Sequence, residues 1–108
     1  MSFVASQTPL SSVKVLQATT VVIGKVAAAT AGTEYSYSFP AGTKKFSTLS
    51  SLGGNLKVSF IAGDIAADVF WPVSRGNAYV EDSLTLAALT LYFTSDKPND
   101  IIRVKSWS

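Results

Sequence analysis

With no histidine and no cysteine in its 108 residues, an enzyme built on this sequence would need carboxylates for its chemistry, as glycosidases do. The absence of histidine and cysteine excludes disulfides, thiolate nucleophiles, ordinary zinc sites and a Ser-His-Asp triad. The acids are Glu34, Asp64, Asp68, Glu81, Asp82, Asp96 and Asp100. A glycosidase-like reaction would need two of them across a scissile bond. Asp64 and Asp68 flank an apolar Ile-Ala-Ala, and the adjacent Glu81 and Asp82 would face opposite sides of a strand. Seven acids are an ordinary surface complement, and loop or turn duty explains each. No catalytic residue is therefore assigned, and a carboxylate hydrolase stands only as a third reading.

Asp96, Asn99 and Asp100 could offer oxygens to Ca²⁺, which takes six to eight. The same residues beside Pro98 are also what a turn prefers, and no EF-hand pattern surrounds them. No metal is expected. No GxGxxG, P-loop or GxSxG pattern occurs, so no cofactor is expected either.

The aromatic residues offer binding rather than catalysis. Trp71, between Phe70 and Pro72, is the best exposed candidate for stacking on a sugar ring or for a subunit contact. Trp107 at the end of the chain could anchor the last strand or a neighbour, and Tyr79 follows a clear turn. Phe70, Trp71, Tyr79 and Trp107 are the candidate interface or glycan contacts. Tyr35 and Tyr37 share a period-two face with Phe39, which is the pattern of core residues.

Apolar residues make up 47% of the chain and charged residues 15%, so some of its bland surface suits contact with other subunits. The formal net charge is +2. The basic residues are scattered along the sequence, with only Lys44 and Lys45 adjacent, so no basic patch is expected and nucleic acid is not an expected partner. No secretory signal is evident at Met1. The apolar run 21–29 is interrupted by Lys25 and is far short of the ~20 residues that a spanning helix needs, so no membrane partner is expected.

The elements that must position these residues read as strands. The stretch 83–95 is the clearest: Leu89, Leu91 and Phe93 alternate with Thr90, Tyr92 and Thr94, preceded by Leu84 and Leu86 in the same style. The phase slips at Ala87-Ala88, where a bulge or bend would absorb it. Residues 1–12 read as a flexible arm, and residues 13–108 as a single domain. Residues 13–24 read as strand, and 25–31 as strand or loop with a short alanine-rich helix competing. The runs 34–39, 43–49, 56–61, 69–73, 78–82 and 101–108 follow as strands, with Pro72 marking an edge. Gly53-Gly54-Asn55 between two alternating runs predicts a hairpin of Thr43–Leu49 with Leu56–Ile61. Many short strands with frequent turns give an all-β fold, an antiparallel β-sandwich resembling a jelly roll.

Three stretches carry a resemblance: Phe39-Pro-Ala-Gly-Thr-Lys-Lys-Phe-Ser47, Leu56-Lys-Val-Ser-Phe60, and Val80-Glu-Asp-Ser-Leu-Thr-Leu86 through Leu89–Ser95 to Ile102–Ser108. Together, over about the last 70 residues of the chain, they resemble small structural proteins of tailed bacteriophages. The resemblance implies a capsid decoration or accessory virion module: a β-sandwich, often trimeric, that attaches to a shell or fibre and carries no catalytic residues. Ala87-Ala88 stands where such chains would have a glycine-containing link.

The first reading is thus a non-enzymatic virion protein, made in the host bacterial cytoplasm, that packs on identical subunits, as a trimer, and on a protein such as the major capsid protein. Capsid decoration is favoured over tail or fibre attachment. The second reading is a tail- or fibre-associated module that binds host carbohydrate through Trp71.

Overall fold

The period-two alternation seen in the sequence becomes eight strands in the computed structural model, which describes residues 20–82, 84 and 89–108. They are β1 Val21–Ala28, β2 Tyr35–Phe39, β3 Lys45–Ser50, β4 Leu56–Ser59, β5 Trp71–Val73, β6 Tyr79–Glu81, β7 Leu89–Ser95 and β8 Asp100–Trp107. The arm at 1–12, the start of the strand read over 13–24, the Leu86 position and the Ala87-Ala88 slip lie outside the described residues.

Two four-stranded sheets form, ordered β1-β8-β3-β6 and β2-β7-β4-β5, with every pairing antiparallel. Among the described strands only β4 and β5 are sequential and paired, and every other connection passes from one sheet to the other. This interleaving is a jelly roll, the sandwich that the alternating strands predict.

The inward residues follow from the period. Tyr35, Tyr37 and Phe39 turn toward the core while Ser36 and Ser38 turn out. Ile102 and Val104 of β8, Phe46 of β3, Leu56 and Val58 of β4, and Leu91 and Phe93 of β7 complete the buried layer between the sheets. Phe39 and Phe46 belong to opposite sheets and stack with ring centroids 4.4 Å apart, so they tie the layers directly. Residues 25–28, where a helix competed with strand, belong to β1. Pairing with the whole length of β8 outweighs the helix propensity of their alanines.

The expected hairpin of Thr43–Leu49 with Leu56–Ile61 does not form. β3 pairs with β8 and β6, whereas β4 pairs with β5 and β7 in the other sheet. The linker 51–55 crosses between sheets, and the turn joining β7 to β8 holds it there. The Asp100 carboxylate accepts from Ser50 Oγ (2.5 Å) and from the Leu52 amide (3.1 Å), and the Asp96 carboxylate accepts from the Asn55 amide (2.8 Å). A Cβ on Gly54 would come within 2.7 Å of the Asp96 carboxylate, so glycine lets the linker lie against that turn. The glycines mark a corner of the sandwich rather than a reversal within one sheet.

Candidate functional site

β5 and β6 are the edge strands of opposite sheets, and residues of both line one flank of the sandwich. They are joined by a turn in which the Asn77 amide bonds the Ser74 carbonyl (3.0 Å) and Gly76 takes a φ of 78°. Asn55 braces this turn, its Oδ1 accepting from the Arg75 amide at 2.7 Å.

Trp71 lies opposite Val58 and shares its inward register. β5 is the edge strand of its sheet, however, and Trp71 is 65% exposed. Pro72 lies opposite Lys57 on this edge, where its missing N–H interrupts pairing with any further strand. Lys57 Nζ sits 4.9 Å from the Phe70 ring centroid.

A groove of about 620 Å³ runs along the flank, lined by Trp71, Pro72, Ser74, Asn77, Tyr79 and Glu81 among others. A second hollow of about 300 Å³ adjoins it, lined mainly by Phe60, Ile61, Val69, Phe70 and Trp71, and Trp71 and Tyr79 border both. Tyr79 contacts Phe46 and Phe60, so aromatic packing extends from the core to this surface. Its hydroxyl donates to Glu81 Oε2 at 2.5 Å. Burial, and then that hydrogen bond and the Glu81 charge, raise the Tyr79 phenol well above its usual range.

The flank thus brings together three of the four expected contact residues, Phe70, Trp71 and Tyr79. Trp107 lies elsewhere, on β8 opposite Lys45 and Val21, with Lys45 Nζ and Lys105 Nζ at 4.8 and 5.0 Å from its ring.

The carboxylates do not assemble into one centre. Glu81 lines the groove and Asp64 the adjoining hollow, and Ser59 Oγ lies 3.3 Å from Asp64 Oδ2. Asp68, with a φ of 67°, lies in the turn after β4. Asp96 is held by Asn55, and Asp100 is buried beneath the hydroxyls of Ser50 and Ser95. Among the described residues, no three acids cluster as a metal site would require.

Lysines and arginines that are scattered along the sequence meet on the outer face of the first sheet. Lys25, Arg103 and Lys105, and Lys45 across from Trp107, occupy outward positions of β1, β8 and β3. The two carboxylates within that sheet's strands, Asp100 and Glu81, sit opposite Ala28 and Phe46 in the inward register. The expected absence of a basic patch is therefore corrected for this face. The alternation Arg103-x-Lys105-x-Trp107 was the available signal, but which strands flank β8 depends on the sheet order.

No family model matches the chain, and no curated protein matches it. Among solved structures it is similar to a de novo designed double-stranded β-helix determined in solution. The TM-score is 0.51 at 17% identity, over 83% of this chain and 100% of that one. That likeness concerns the fold alone, and it agrees with the two antiparallel sheets described above.

Proposed function

We propose that this chain is a non-enzymatic structural subunit that works by packing its apolar surface against identical copies and a larger assembly. The assembly in this reading is a bacteriophage virion, with the chain decorating the capsid. The observation that carries the packing role is the cluster of large exposed apolar residues on the β5–β6 flank: Phe60, Ile61, Val69 and Trp71. Contiguous apolar surface of this kind is costly to leave in water and suits an interface. The virion context is supported by the resemblance carried by Phe39–Ser47, Leu56–Phe60 and the C-terminal stretches.

Two measurements test it: the mass of the purified chain by light scattering over a concentration series, and its co-sedimentation with shells of tailed bacteriophages. A closed oligomer that attaches to shells is expected. A monomer at every concentration that sediments with no shell overturns the reading.

A specific observation favours a second role, carbohydrate binding by a tail or fibre module. The exposed Trp71 indole borders a groove that also carries Ser74, Asn77 and Glu81, an apolar face beside hydrogen-bonding groups. A saccharide has the same two characters, C–H faces and hydroxyls. Trp71→Ala separates the two roles, because loss of glycan binding with assembly intact assigns the groove to sugar.

A further inference from the structure

We infer that the outer edge of β1 pairs antiparallel with β1 of a second copy, joining two four-stranded sheets into one. The hydrogen-bond phase of β1 carries this inference. Thr20 and Ser108 exchange both backbone bonds, each at 2.9 Å. In an antiparallel ladder such pairs alternate with pairs that share no bonds, so Val22, Gly24, Val26 and Ala28 direct their amides and carbonyls at β8. Val21, Ile23, Lys25 and Ala27 direct theirs away from it, along the open side of the sheet. Among the described residues no backbone group answers them.

The other sheet edges are poor templates by comparison. β6 and β5 have three residues each, and β5 contains Pro72. β2 has five residues and runs into Pro40. β1 has eight residues and no proline, and its single charge is Lys25. The apolar side chains at its start stand in solvent, with Val21 half exposed and Ile23 72% exposed. A long apolar edge of this kind is what proteins usually shorten, charge or cover.

A second copy fits this edge because the pairing can be isologous, which closes the contact at two chains. The outward-directed residues are all odd-numbered, so bonded partners must have numbers summing to an even value. With Ile23 opposite Ile23 of the second copy, Lys25 faces Val21. With a shift of one bonded pair, Lys25 faces Ile23. In either register the two ammonium groups avoid direct opposition, which would be unfavourable.

This inference rests on the self-packing reading above and adds to it a second surface, at the edge away from the β5–β6 flank, and its test separates the two. Ile23→Pro removes an outward amide and no bond to β8, while Ile23→Lys places a second cation on the contact and keeps every backbone donor. Leu52→Lys changes an exposed apolar residue in the linker after β3 and serves as the control. Far-UV circular dichroism verifies that each variant is folded, and light scattering gives its mass. A wild-type dimer is expected, with dissociation constants raised roughly tenfold or more in both Ile23 variants and unchanged in the control. An oligomer that both Ile23 variants retain overturns the β1 pairing but leaves self-packing on another surface. A wild-type monomer at every concentration overturns the β1 pairing and removes self-association from the functional reading as well.

Discussion

The Tyr37 hydroxyl occupies the space beside Gly24, lying 2.7 Å from where a Cβ on that glycine would be. Gly24 is on β1 and Tyr37 on β2, edge strands of opposite sheets, so this contact closes the flank away from β5 and β6. Two further ring atoms of Tyr37 lie within 3.0 Å of the same point. The ring also packs edge-on to Phe39, with centroids 5.0 Å apart, and so has little freedom to retreat. Gly24→Ala is expected to lower stability by about 1–3 kcal/mol, as overpacking does. Tyr37→Leu in the same chain should recover part of that loss. Urea unfolding of the two single variants and the double variant gives the coupling between the sites.

Asp100 is buried, and its carboxylate accepts from Ser50 Oγ, Ser95 Oγ and the Leu52 amide. Burial by itself would raise its pKa, but these bonds and one from the Ile101 amide outweigh burial and hold the carboxyl below its usual value. A folded-state pKa below the unfolded value of about 3.9 gives a contribution that is present above that pH. The contribution is lost as pH falls through the folded value. Asp100→Ala is expected to cost roughly 3 kcal/mol at neutral pH by leaving several donors without a partner. Its unfolding free energy should also depend less on pH in the acid range than that of the wild type, as denaturant titration at several pH values would report.

The alternation of Tyr35-Ser-Tyr-Ser-Phe39 and of Leu89–Thr94 made the inward faces readable without coordinates, because side-chain direction in a strand is local. Strand partners are not local. Gly53-Gly54-Asn55 looks the same whether the chain reverses within a sheet or crosses between sheets. The choice here is made by Asp96 and Asp100, more than 40 positions away. Trp71 was identifiable as an exposed aromatic from its place beside Pro72 on an edge strand. Its grouping with Phe60 and Tyr79, and the meeting of Lys25, Lys45, Arg103 and Lys105 on one face, depend on the order of strands in the sheets.

Asn55 and Asp96 form a two-point contact at the same crossing. The Asn55 amide nitrogens, backbone and side chain, reach the two carboxylate oxygens at 2.8 and 2.9 Å. These bonds, the backbone one foremost, hold the Asp96 carboxyl below its usual range despite its exposure. Asn55→Ala keeps the backbone donor and removes the side-chain one. The Asp96 carboxyl carbon, followed by NMR against pH, is therefore expected to titrate higher in the variant than in the wild type, while remaining below an unperturbed aspartate.

Tyr79 gives the opposite signature at the alkaline end and reports directly on the groove. Its phenol is raised because ionisation would place a charge in a half-buried site, break the donation to Glu81 and set two anions side by side. The folded state therefore keeps this proton at a pH where an unfolded tyrosine, with a pKa of about 10, has released it. Stability linked to this group is complete below that pH and declines as pH rises through the raised value. Glu81→Gln removes the neighbouring charge but leaves the burial, so phenolate absorbance is expected to develop at lower pH than in the wild type, yet still above an ordinary tyrosine. Titration of both forms at the same pH would show that Glu81 does not hold the phenol proton, and that burial alone sets its affinity.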